Sequence, residues 1–358
     1  MSTNLFIEIA QFIGALASLI IIHEVGHFLA CRLCKVEVEE FGIGLPPYAL
    51  TLFKAGGTKF TLNWLLLGGF VRPKGENDPS IKGGLAAAKP GVRLAVYLAG
   101  PVSNLLVGVI LYALIFNRLG VPILTQVEIS EVVSNSPAEQ AGLLPGDLVL
   151  KVNDTEIDST AVLHDTIYAN LYQPITLHYQ RGGQTTQVVL TPRSKPPEGE
   201  GAIGIVMSNP SRRPISLVAA LPLGAVALYD HSLALLNLPV RLIRGQTAPE
   251  EGRLVGFKGM FDIYQEVREA EQTPTIPAGI AVLGFFAAIT ISLGVLNLLP
   301  IPALDGGRML FVLPELVLRR RIPPQYENVI NLISYGLLIL LLIYVNLQDF
   351  INPIQLPK

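Results

Sequence analysis

Residues Ser18–Arg32 read SLIIIHEVGHFLACR. Three ionisable side chains, His23, Glu24 and His27, sit in a run otherwise apolar enough for lipid. Such groups cost roughly 2.5–3.5 kcal/mol each at bilayer depth on insertion scales, so a chain that keeps them there has a use for them. On a helix, His23 and His27 share one face, the spacing at which two imidazoles hold one zinc ion. Glu24 lies about 100° round from His23, close enough to polarise a water without being a ligand.

The surrounding chain is built for a membrane. Of its 358 residues, 50% are hydrophobic and 15% charged, against about 25% charged in soluble domains. Mean hydropathy is +0.48. Four segments, residues 5–30, 92–116, 278–299 and 328–347, approach the ~20 apolar residues that a spanning helix needs. The first apolar run has no basic residues before it and no small-residue cleavage site after it, so it reads as an uncleaved span. The net charge of −2 and the lack of a basic tract give no sign of nucleic acid. Cys31 and Cys34 cannot build a disulfide framework and read as reduced bystanders at a helix end.

Basic residues orient the spans. Arg32, Lys35, Lys54, Lys59, Arg72, Lys74, Lys82, Lys89 and Arg93 crowd the loop between the first two, and Arg308 with Arg319–Arg321 lies between the last two. Both loops are therefore expected in the cytoplasm, with 117–277 outside. A fifth apolar segment, 215–243, carries Asp230, His231, Pro222 and Pro239. Were it to span, everything after it would change sides, so it is expected to lie as an interfacial or partly embedded helix.

Catalytic zinc usually takes three protein ligands and a water, so a third ligand is needed. His164, His178 and His231 fall outside on this topology and read as ordinary surface or core histidines. The better candidate lies in NLLPIPALDGGR, residues 297–308, where Pro300 and Pro302 break the third span and Gly306 and Gly307 follow Asp305. Irregular backbone at membrane depth is tolerated only where it is buried in protein or lines a wet cavity. A lone Asp on such a break reads as the third ligand.

HEVGH in the first span, with NLLPIPALDGG in a later one, resembles the site-2 protease family of intramembrane zinc metalloproteases, in its bacterial regulator of sigma-E protease branch. The resemblance covers nearly the whole chain. It implies His23, His27 and Asp305 as ligands of one Zn2+ per chain, Glu24 as general base, and Asn297 as a contact for the substrate backbone or developing oxyanion. It also supports a re-entrant β-loop at 36–75, where VEVEEFGIG and TKFTLNWLLLGGFVRPKGEND alternate around FKAGGT. A strand edge there would hold an unwound substrate by β-addition; a plain cytoplasmic hairpin is the other reading.

Within 121–208, SNSPAEQAGLLPGDLVLKVND resembles the helix–turn–strand segment of PDZ domains, and QRGGQ reads as a hairpin turn. Such a module binds chain ends or filters substrates by size. TPRSKPPEGE is a Pro-rich loop.

The expected architecture is a polytopic α-helical membrane protein of about four spans, with a re-entrant β-hairpin loop and an inserted extracytoplasmic PDZ domain, mixed α/β and mainly β. Its parts are 1–120 (first half of the membrane core), 121–208 (PDZ), 209–277 (interfacial helix and connection) and 278–358 (second half). The expected activity is cleavage of single-span membrane proteins in the bilayer, after another protease has trimmed their outer domain. One rival is a non-catalytic PDZ-bearing scaffold, which has no need of an intact ligand set with its Glu. The other is a zinc transporter, which wants acidic or histidine residues repeated along several spans; VYLAGPVSNLLVGVILYALIF and VINLISYGLLILLLIYV have none.

Overall fold

The computed structural model describes residues 3–122, 126–197, 199–208, 212–246, 252–271 and 277–353. Helix α1 (Thr3–Leu33) leads into two long strands, β1 (Val38–Ala55) and β2 (Thr58–Pro73), and then α2 (Pro90–Leu119). A β-rich stretch follows: β3 (Val121–Pro122), β4 (Val127–Val132), α3 (Pro137–Gln140), β5 (Leu148–Val152), β6 (Thr155–Glu156), α4 (Thr160–Ala169), β7 (Ile175–Arg181), β8 (Gln184–Leu190), β9 (Ile205–Ser208) and β10 (Arg212–Arg213). The chain then returns to helices, α5 (Leu217–Ile243), α6 (Phe257–Ala270), α7 (Ile280–Leu298), α8 (Asp305–Leu318) and α9 (Pro324–Ile351). Two compact units result, one from residues up to Ile115 together with those from Leu217 onward, the other Phe116–Ser216.

In the first unit, α1, α2, α5, α7 and α9 are each long and apolar enough to cross a membrane. Contacts between them set their directions. The last third of α1, the first turns of α2, the end of α7 and the first turns of α9 all meet at one level. There Asp305 approaches His23, His27 bonds the Val96 carbonyl, and Asn331 bonds the Ala303 N–H. Helix α6 gathers the opposite ends. Arg268 on α6 donates to Gln11 of α1, and the Glu271 carboxylate just beyond α6 accepts from Gly279 and Val282 at the start of α7. Asp349, near the end of α9, accepts from the N–H groups of Gly256 and Gly259 at 2.8 and 3.0 Å. A carboxylate at a helix N-terminus meets both the orphan donors and the favourable end of the dipole. Phe12, Leu16 and Tyr264, with Phe261, Phe285 and Phe286, fill the space between α1, α6 and α7.

Helix α5 packs against α2. A Cβ on Gly224 would lie 2.4 Å from the Val109 carbonyl, yet His231, seven residues on, still meets Tyr112 at 3.2 Å. Two close approaches seven residues apart on α5 thus both fall within one turn of α2. Beyond the end of α5, Gly252 abuts Leu242 and Arg253 pairs with Asp349 at 3.0 Å.

Strands β1 and β2 form an antiparallel sheet in which each is used twice. Glu40 pairs with both Lys59 and Arg72, and Phe41 with both Phe60 and Val71. The first half of β1 is thus flanked by the two ends of β2. The second half of β1 folds back over Thr58–Asn63, after the interruption at Pro46 and Pro47, which lack ladder donors. This arrangement leaves the Gly69–Val71 end of β2 against α1.

The Phe116–Ser216 unit has its own core, with Ile129, Leu163, Ile175, Leu177 and Ile203 almost fully buried. Its main sheet has the order β8-β7-β5-β4-β9, with β6 on β5. Ser136 caps α3, with Pro137 in the first turn, and Ser159 caps α4.

Candidate metal centre

Helix α1 places His23 and His27 one turn apart, and the first residue of α8 supplies Asp305 between them. Asp305 Oδ2 lies 3.1 Å from His23 Nε2 and 3.3 Å from His27 Nε2, and the two Nε2 atoms are 3.2 Å apart. Among the described residues these three form the one group of His, Cys, Asp or Glu close enough to share a metal. The donor set fits zinc. Ligand bonds of about 2.0–2.1 Å in a tetrahedron put neighbouring donor atoms about 3.3 Å apart. His27 Nδ1 donates to the Val96 carbonyl at 2.8 Å, and a carbonyl only accepts, so Nε2 carries the lone pair. Lone pairs and a carboxylate converging at this range repel one another unless a cation lies between them.

Small residues make the convergence possible. A Cβ on Gly100 of α2 would come within 2.3 Å of His27 Nε2 and 2.8 Å of His23 Nε2. The prolines that end α7 turn its last carbonyls towards α8, where Cβ atoms on Gly306 and Gly307 would strike the Leu299 and Ile301 carbonyls at 2.1 and 2.3 Å. The sequence DGG therefore lets α8 begin directly beneath the broken helix. Asp305 in its first turn gains from the positive end of the helix dipole.

The three side chains line one cavity of about 330 Å³ together with Glu24, Asn297, Arg308 and the Gly69–Val71 end of β2. Glu24 and Val71 line the same wall of this cavity. A Cβ on Gly69 would sit 3.2 Å from Glu24 Cγ, so a bulkier strand residue would crowd the carboxylate. Asn297 reaches the cavity wall but gives one amide hydrogen to its own helix, at the Leu293 carbonyl, 2.9 Å away. Arg308 is ion-paired with Glu76, on the loop after β2.

The other histidines stand apart from this cluster. His231 meets Tyr112, His164 stacks on Tyr168 beside Asp165, and His178 lies within β7. Cys31 is buried in an apolar cluster with Val36, Val38, Leu85 and Val96, and both thiols are free.

Sequence reasoning passed over Asn104. Its side chain is 1% exposed, with Nδ2 3.4 Å from His23 Nδ1 and Oδ1 unpaired. The O and N of an amide are assigned from the hydrogen-bond network. Turned by 180°, Oδ1 accepts from His23 Nδ1–H, which pairs that oxygen and leaves the Nε2 lone pair facing Asp305. His23 then has the same kind of support that the Val96 carbonyl gives His27. The available signal was a lone Asn inside an otherwise apolar span.

Residues 11–341 match the profile of peptidase family M50. A candidate zinc metalloprotease of Clostridium acetobutylicum is 29% identical over 98% of this chain and 99% of its own. Another from Campylobacter jejuni is 30% identical over 96% of this chain and 93% of its own. The zinc metalloprotease RasP of Geobacillus kaustophilus is 27% identical over 96% and 97%. Among solved structures, the PDZ domain of the SdrC-like protein from Listeria monocytogenes covers 23% of this chain and 85% of its own at 22% identity, with a TM-score of 0.21. The chain belongs to peptidase family M50, the site-2 proteases, and is a zinc metalloprotease.

Proposed function

We propose that this zinc metalloprotease cleaves the membrane segments of single-span proteins within the bilayer. The observation that carries the reading is the convergence of His23, His27 and Asp305, with donor atoms 3.1–3.3 Å apart, in a cavity that also holds Glu24. These residues would hold one zinc per chain. When bound, zinc supplies a Lewis acid that polarises a carbonyl and acidifies a water. Glu24 would take a proton from the attacking water and hand it to the leaving nitrogen. Asn297 holds the substrate backbone or the oxyanion. The Gly69–Val71 end of β2 receives the substrate as an added strand, since a helix offers no free backbone to a protease. In this reading the β1–β2 sheet is a re-entrant loop.

Four helices span in this reading and α5 lies at the interface. Two features support that. Gly224 and His231 meet α2 at nearly the same level, and the segment after α5 joins Asp349, at the end of α9 remote from the metal site. The basic loops then argue for a metal site towards the cytoplasm, with residues 121–208, read as a PDZ domain, outside. That domain selects substrates already trimmed by an upstream protease.

The test compares membrane-protein fragments in cells carrying the native enzyme and Glu24→Gln. The variant is expected to keep its zinc and lose turnover by far more than the roughly 10²–10⁴-fold that acid–base catalysis alone supplies. Near-normal proteolysis by Glu24→Gln would mean that another group activates the water.

A further inference from the structure

Asp305 reaches the histidines through an unusual bend. Ile301, Pro302, Ala303 and Leu304 form a tight turn closed by the Leu304 N–H on the Ile301 carbonyl at 3.1 Å. Pro302 occupies the first central position and Ala303 the second, with φ +73°. A type II turn demands positive φ there and favours Gly, because a Cβ is strained in that conformation. Such a turn also leaves the N–H of its second central residue without a partner in the turn. At membrane depth an unpaired N–H is costly, because no water is there to take the place of the missing partner. Here it is taken up from a distance: Ala303 N–H donates to Asn331 Oδ1, 3.1 Å away on α9. Asn331 is a polar residue within the apolar run VINLISYGLLILLLIYV, and Tyr335, one turn further along α9, lines the metal-site cavity.

We infer that Asn331 is a positioning residue for the metal site: its side-chain carbonyl fixes the Ile301–Leu304 turn, and so sets where Asp305 stands. The inference rests on the reading of Asp305 as a zinc ligand. The residue before the ligand, Leu304, closes the turn, so any relaxation of Ala303 moves the carboxylate directly. With strain at Ala303 favouring that relaxation, one hydrogen bond from α9 opposes it. This makes the last span part of the active site although it offers no ligand.

The acceptor, and not the bulk of the side chain, is what the inference requires. Asn331→Leu keeps the volume and removes the acceptor, Asn331→Ala removes both, and Asn331→Asp keeps an oxygen in place. Zinc release to a chelator and steady-state cleavage of a model membrane substrate are measured on full-length purified protein. Leu and Ala variants are expected to lose zinc about 10–100-fold faster, the range for lost outer-shell support. Their kcat should fall with KM little changed, because the β2 edge is untouched. Asn331→Asp should stay within a few-fold of native in both measurements. Native zinc retention in Asn331→Ala, or an Asn331→Asp as impaired as Asn331→Leu, overturns the inference. Asp305→Ala run in parallel keeps the two readings apart: if it holds zinc normally, the ligand assignment itself fails.

Discussion

Glycines in the helices of one unit and in the turns of the other do opposite work. In the helical unit, Gly100, Gly108, Gly224 and Gly294 lie where a Cβ would come within 3 Å of a neighbouring helix or of a metal-site histidine. They are there for closeness, as helices packed in lipid require small residues at their crossings. In the β-rich unit, Gly142, Gly146, Gly182 and Gly183 all take positive φ, and a Cβ on any of them would meet nothing within 4 Å. They are there for backbone conformation. Buried polar groups divide less cleanly. In the helical unit Asn104 stands beside the metal site. In the β-rich unit Ser136 caps a helix and Asp147 anchors Arg181. Asp349 of the helical unit does the same structural work at the start of α6, so buried polar groups turn to chemistry at the metal site and not throughout that unit.

The strongest way to break this contrast is Gly100→Ala. Alanine favours a helix over glycine by about 1 kcal/mol, so α2 itself gains. The added methyl must nevertheless displace His27, and a misplacement of about 1 Å at a reacting centre costs about 10²-fold. The variant should fold, bind zinc weakly and lose at least about 10²-fold in kcat/KM. Normal zinc content with normal turnover would show that the rings yield freely and that Gly100 is ordinary packing.

Next comes Asn104→Leu, which leaves the span apolar throughout. Without the amide, His23 loses its orienting partner, and zinc affinity should drop about 10–100-fold. Equilibrium dialysis against a zinc buffer measures it. An unchanged affinity would leave the Val96 carbonyl as the one orienting contact that matters.

What was legible from the sequence divides along the same line. His23, Glu24 and His27 are four residues apart at most, and their spacing on a helix was enough. Asp305 was legible because prolines and glycines around a lone carboxylate are hard to explain in a span otherwise. Asn104, Gly100, Asn331 and the Glu76–Arg308 pair were not. Each acts on the site from an element distant in sequence, and only the packing of α2, α8 and α9 brings them together. A polar residue in a span announces a use without naming the partner. The count of spanning helices is the other case: α5 has the length and composition of a span, and neither property records where its two ends lie. The QRGGQ turn was legible because its dihedral demand is local, with Gly182 and Gly183 at φ +56° and +85° between β7 and β8.

In the β-rich unit, Asp147→Ala should weaken the fold and spare the chemistry. Asp147 is fully buried; it accepts from Arg181 Nε and Nη2 at 2.6 and 2.7 Å and from the Leu144 N–H at 2.8 Å. Removing it returns the half-exposed Arg181 to water but strands the Leu144 N–H, at a cost of about 1–3 kcal/mol. Proteolytic nicking between residues 116 and 216 should rise in the full-length protein, with zinc retention and cleavage of a pre-trimmed substrate unchanged. Loss of zinc in this variant would mean that the unit helps to build the metal site.

The smallest effect sharpens the contrast most, because it repeats the first substitution in the other unit. Gly182→Ala adds the same methyl as Gly100→Ala, but into open space. What it meets is a dihedral requirement: at φ +56° in a two-residue hairpin turn, an L side chain costs about 1–2 kcal/mol. The expected outcome is a modest loss of stability of about that size, confined to the 116–216 unit and read by the same nicking assay. Gly182→Asn should recover most of it, since asparagine tolerates the left-handed region and no room is lacking. Gly100→Asn, by contrast, should be worse than Gly100→Ala, because there the deficit is space. If Gly182→Asn proved as damaging as Gly182→Ala, volume would matter in both units, and the division between glycines of closeness and glycines of conformation would fall.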